Sequence, residues 1–105
     1  MNKLTAALLI LCCSSTMAIE IRGATSCGAW VSSRQAKNAA AGSDQVWMVA
    51  YLSGLASGLG KDGLKGTDNA SIFLFVDEYC RKNSLKDLDD AGNAVFRELL
   101  KKNNL

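Results

Sequence analysis

This 105-residue chain contains no histidine and no proline. Without imidazole, Ser-His-Asp and Cys-His catalysis, imidazole acid–base chemistry and His-ligated metals are all excluded. Without proline nothing rigid punctuates the chain, so its breaks fall to Gly and Asn. An excess of charge of one sign is missing too: 12 Lys and Arg against 10 Asp and Glu give a formal net charge of +2. The basic residues are scattered, and the dense spot late in the chain, Lys101-Lys102, suits the C-terminal dipole of a helix. Such balance leaves no electrostatic footprint for nucleic acid or an anionic membrane.

What is there begins with an export leader. Lys3 supplies a positive start, Leu4 to Cys13 is apolar, and Thr16 and Ala18 form a small-x-small step. That layout predicts a secretory signal peptide over residues 1–18, cleaved after Ala18. The apolar run is too short for stable membrane insertion, since a bilayer core of about 30 Å takes roughly 20 helical residues. A lipoprotein cut at Cys12 or Cys13 would need a small residue before the cysteine, where Leu11 and Cys12 stand. The expectation is therefore a soluble product in the periplasm, a single domain over residues 19–105.

Cleavage removes two of the four cysteines and leaves Cys27 and Cys80. An even pair in an exported domain reads as one disulfide, with two unpaired buried thiols as the alternative. Zinc does not fit, because two cysteines without histidine cannot close a four-ligand site. Closing a loop of 53 residues is worth about 4 kcal/mol in chain-entropy terms. For a domain this small that is a large share of a total stability of about 5–10 kcal/mol.

Periodicity then gives four helices and no strand. Ile19 to Ser26 reads as an extended lead. Cys27, Trp30 and Val31 share one face of a short first helix, which Ala36 to Ala41 continues or frays. Gly42 breaks the chain before Ser43, an N-cap followed by Asp44, and Val46, Trp47, Ala50, Tyr51, Gly54, Leu55 and Gly58 recur at helical spacing. Gly54 and Gly58 read as a smooth ridge against which another helix of the domain packs. Thr67 or Asp68 caps a third helix with Ile72, Phe73, Val76 and Cys80 inside, and Asn83 interrupts it. Ser84 with Asp87 reads as a capping box, followed by a stripe of Leu85, Leu88, Ala91, Gly92, Val95 and Leu99. The fold class is all-α, a small helical array of about four helices closed by one disulfide.

Candidate chemistry is thin. Asp77 and Glu78 are adjacent, so on a helix they diverge by about 100° and cannot act as a paired acid and base. Arg81, four residues after Asp77, suits a salt-bridging face. Asp87, Asp89 and Asp90 lack the central Gly and closing Glu of a calcium loop. Lys-Asp-Gly-Leu-Lys-Gly over residues 61–66 lacks the ending of a phosphate-binding loop. The Ser53 and Ser57 hydroxyls lack a base. No metal, cofactor or catalytic set is expected, and the chain reads as a binding protein, not an enzyme.

Cys27-Gly28-Ala29-Trp30-Val31, then Trp47-Met48-Val49-Ala50-Tyr51-Leu52-Ser53-Gly54, then Ser71-Ile72 and Val76-Asp77-Glu78-Tyr79-Cys80-Arg81-Lys82-Asn83 together resemble the type VI secretion amidase-immunity (Rap/Tai) family. That family shares its design with HdeA-like periplasmic proteins: a signal peptide, about a hundred residues, all helices and one disulfide. One departure stands at Ser84, where family members often carry proline. The resemblance implies an immunity protein that inhibits a secreted peptidoglycan amidase by steric blocking, with a protein as partner and a homodimer as the common state. An acid-stress chaperone of the HdeA type is the alternative it implies. The expected partner-binding loop is Lys61 to Asp68, with Lys61, Asp62, Lys65 and Asp68 as contacts, since loops on a rigid scaffold are where recognition sits.

Overall fold

The computed structural model describes residues 19–105, and the expected leader over residues 1–18 lies outside them. The fold is all-α: α1 Cys27–Ala36, α2 Ala39–Leu59, α3 Asn69–Lys82 and α4 Leu88–Lys102, with no strand among the described residues. α1 packs on α3, α3 on α4, α4 on α2 and α2 on α1, while α2 and α3 scarcely touch. The core lies inside this ring. Trp30, Met48, Leu52, Ile72, Val76, Leu88, Ala91, Val95 and Phe96 are buried there with both cysteines. The Cys27–Cys80 disulfide joins the start of α1 to the end of α3.

Helix boundaries show which local signals won. Lys37 adopts the left-handed conformation (φ 51°) and ends α1, and Asn38 caps α2 by accepting from the Ala41 N–H at 3.2 Å. α2 therefore starts ahead of the expected Ser43 cap, and Gly42 lies within the helix. The break came earlier because Asn38 offers a side-chain oxygen to an otherwise unpaired N–H. At its far end Gly60 is left-handed (φ 64°), and the Lys61 N–H reaches the Ala56 carbonyl at 3.0 Å, a Schellman-type stop. Of the two expected caps, Asp68 and not Thr67 caps α3, accepting from the Ser71 N–H at 2.7 Å.

The entry to α4 is a correction. Asp87, not Ser84, is the N-cap, and it forms the capping box with Asp90. Residues 84–86 serve α1 instead. The Cys27 N–H donates to the Lys86 carbonyl at 2.7 Å and the Gly28 N–H to that of Ser84 at 3.2 Å. In return the Leu88 N–H donates to the Thr25 carbonyl at 2.9 Å, across a bridge between Ser26 and Asp87. The α3–α4 turn thus satisfies the free N–H groups of a helix far earlier in the chain, and Leu85 is left 98% exposed outside the stripe.

Asp77 ties α1 to α3. Its Oδ1 accepts from Trp30 Nε1 (2.7 Å) and Arg34 Nε (2.9 Å), and its Oδ2 from Arg34 Nη2 (2.7 Å). The guanidinium also lies over the Trp30 and Phe73 rings, 5.7 and 5.9 Å from their centroids. Burial pushes the Asp77 carboxyl up, but these hydrogen bonds and the charges of Arg34 and Arg81 outweigh it and hold it below the usual carboxylate range. The expected Asp77–Arg81 pair along one helix gives way to this bidentate pair between helices, because an Arg fork matches both carboxylate oxygens at once.

Candidate protein-binding surface

Two features stand out as candidate binding surfaces: the loop after α2 and the outer face of α2.

The loop is held from below by the end of α4. Lys102 Nζ donates to the Gly66 carbonyl (3.2 Å) and to Thr67 Oγ1 (2.8 Å). Asn103 Nδ2 donates to the carbonyls of Gly63 (2.9 Å) and Lys65 (3.2 Å). Gly63 is buried so closely on Phe96 that a Cβ there would sit 2.8 Å from its ring, so only glycine lets the loop seat. Leu64 packs partly buried against the core. Lys61, Asp62 and Lys65 stand exposed on this clamped base, their backbone held in place from below. Asp68 is exposed too, but its carboxylate is committed to capping α3. The hydrogen bond from Ser71 and the charge of Lys102 hold it below its ordinary range. Of the four expected contacts, the structure groups Lys61, Asp62 and Lys65 on one loop and gives Asp68 a capping duty.

The α2 face was not expected as a site. α2 carries one charged residue, Asp44, in 21 positions, and only Ala41, Met48 and Leu52 are buried. A helix apolar all round is ordinarily buried all round. Here Gly42, Val46, Ala50, Ser53, Gly54, Ser57 and Gly58 follow one another at helical spacing along an exposed, uncharged stripe, with Val46 72% exposed. No described residue lies within 4 Å of a Cβ built on Gly42, Gly54 or Gly58. The Gly54–Gly58 ridge therefore faces outward instead of receiving a helix of the same domain. The close helix contact is made at Gly92 of α4, where a Cβ would meet the Tyr51 ring at 2.7 Å.

α1 meets α3 at Cys80 and at Phe73, and a shallow apolar groove of about 530 Å³ opens between α2 and α3. Gln45, Val46, Val49, Ala50, Asn69 and Phe73 line it. The loop runs from the end of α2 to Asn69, which lines this groove. Burial pushes the Asp44 carboxyl up. The sequence signal for this surface is the missing polar side of α2.

Several other polar groups on these helices are already engaged within the protein. The Ser53 hydroxyl donates to the Val49 carbonyl at 2.7 Å, and Glu78 accepts from Lys82 at 3.0 Å one turn along α3. Asp87, Asp89 and Asp90 bring carboxylate oxygens within 4.8 Å of each other, but Asp87 and Asp90 are already engaged in the capping box. Among the described residues no helix is long and apolar enough to cross a membrane. No protein-family model, no curated protein and no solved structure matches this chain.

Proposed function

We propose that this chain is an exported binding protein of the immunity type, which inhibits a peptidoglycan amidase in the periplasm by covering its active-site cleft. The observation that carries the binding reading is the outer face of α2. A 21-residue helix extends about 31 Å, and its bare, uncharged stripe together with the loop at its end offers room for an interface of about 800 Å². Steric blocking asks only for a rigid, pre-organised surface, and the disulfide and the Lys102 and Asn103 clamps supply rigidity. The amidase as target rests on the resemblance of the Cys27–Val31, Trp47–Gly54 and Val76–Asn83 segments to the immunity family. An oxidising compartment suits the disulfide.

The test is protection of cells that produce the cognate amidase in their periplasm. Val46→Glu, which puts a charge on the bare stripe, should abolish protection with melting within about 0.5 kcal/mol of the parent, as for other exposed positions. Replacing Lys61, Asp62 and Lys65 together with Ala should weaken protection and leave circular dichroism unchanged. The reading fails if the purified protein binds no peptidoglycan amidase yet keeps denatured, unrelated proteins soluble near pH 2–3, which is what an HdeA-like chaperone does.

A further inference from the structure

On the side of the molecule formed by α1 and α3 lies a second groove, of about 680 Å³, lined by Val31, Arg34, Gln35, Lys37, Asp77 and Arg81. It holds three cations and one carboxylate, in a chain whose charges otherwise nearly cancel. The carboxylate is spent. Asp77 already accepts three hydrogen bonds, from Trp30 and Arg34, so its charge is answered within the protein. Arg34 is not spent, because only its Nε and Nη2 donate and Nη1 has no acceptor among the described residues. Lys37 and Arg81 make no ion pair there either. Residues 1–18 contain no Asp or Glu that could pair with them. Glu78 is engaged by Lys82.

The C-terminal dipoles of α1 and α3 offset about half a unit of charge each, which still leaves the groove positive. We infer that this groove binds a short acidic segment of a partner protein, through carboxylates received by Arg34, Lys37 and Arg81. Arg34 is pre-organised for the task, since its plane is fixed between the Asp77 fork and the Trp30 and Phe73 rings. A fixed guanidinium loses little freedom when it donates to a second carboxylate. Val31, half-buried beside it, gives the segment an apolar footing. Three cations in one groove match a peptide with two or three carboxylates. They are too few for an anionic membrane, which is read by clusters of four to eight, and they do not extend into the stripe that tracks a nucleic-acid backbone. Arg81 lies 12 residues, about 18 Å, along α3 from Asn69, so the Arg81 end of the groove is far from the start of α3. The Arg34 end adjoins Phe73 of the α2 groove, but the inference does not rest on the inhibitor reading.

Fluorescence anisotropy with a labelled hexa-glutamate peptide tests it, alongside a hexa-glutamine peptide and phosphatidylserine–phosphatidylcholine vesicles. Saturable binding of the acidic peptide that weakens as salt rises is the expected result. Lys37→Asn with Arg81→Gln should weaken it about five- to thirty-fold, as loss of two exposed ion pairs does. Asn suits position 37 because it tolerates the left-handed backbone. The charge-matched pair Lys86→Gln with Lys101→Gln should stay within about two-fold. In nuclear magnetic resonance spectra the Trp30 indole N–H, bonded to Asp77, should shift on binding, and that of Trp47, bonded to the Arg22 carbonyl, should not. Absence of saturable binding, equal loss in the two double variants, an unmoved Trp30 resonance, or tighter binding to the vesicles than to the peptide would each overturn the inference.

Discussion

α2 is the most apolar helix of the molecule, and α4 is the least. Their burial runs the other way. α4 buries Leu88, Ala91, Gly92, Val95, Phe96 and Leu99 and turns Arg97, Glu98, Lys101 and Lys102 outward. α2, with half as many buried residues in a longer helix, leaves a bare stripe on its far side. Hydrophobicity therefore does not by itself say what is covered. α4 has a polar side because water is its permanent neighbour there, whereas α2 lacks one because, on the reading proposed above, another protein is its neighbour part of the time. The glycines mark the same contrast at atomic scale: Gly92 is pressed on Tyr51 and Met48, while Gly54 and Gly58 face open space.

The largest expected effect tests whether the covered side is one cooperative unit. Cys80→Ser should lower stability by about 2–5 kcal/mol, the usual result of removing a native disulfide from a small secreted domain. Cys27→Ser should match it, and the double variant should cost little more than either. Denaturant melts of the three variants check this, and a single variant as stable as the parent would mean that α1 is held without the bond.

Next in size is the other tie between α1 and α3. Asp77→Asn should cost about 1.5–3 kcal/mol, the range for hydrogen bonds to a charged group, because Arg34 keeps its charge without a counter-ion. Its pH dependence follows from the lowered Asp77 carboxyl. A carboxyl held below its unfolded value of about 3.9 stabilises fully above that value and loses its contribution as pH falls through the folded one. The difference in Tm between parent and variant should be constant above about pH 5 and shrink below about pH 4. A constant difference down to pH 2 would show that the charge of Asp77 is not what matters.

The glycine contrast gives two smaller effects of opposite sign. Gly92→Ala should destabilise by about 1–3 kcal/mol, since the added methyl must displace the Tyr51 ring or Met48 from a packed contact. Gly54→Ala, in open space within a helix, should stabilise by about 0.5–1 kcal/mol. Should Gly54→Ala stabilise the free protein while weakening partner binding, the α2 stripe would be identified as a close-approach surface. Equal destabilisation by both substitutions would remove the contrast between the two helices.

The amino-acid sequence by itself determined the number and type of the elements, the cysteine pair and most of the inward faces. Those follow from short-range rules: period-3.6 spacing placed Ile72, Val76 and Cys80 together, Asp68 is a good cap wherever it stands, and an even cysteine pair leaves one pairing. The exposed Lys61–Lys65 loop was legible for the same reason, because Gly60, Gly63 and Gly66 cannot continue a helix well. Tertiary structure decided the rest. Ser84 lost its capping role because the carbonyls of residues 84–86 are needed by the first turn of α1, and Asp77 turned from Arg81 to Arg34 because α1 lies antiparallel against α3. Which small-residue ridge received a helix, Gly54–Gly58 or Gly92, and which apolar side of α2 stayed bare depended on how short α1 is and where α4 docks. A periodic pattern states that a face is apolar, and only the arrangement of the other helices states whether anything covers it.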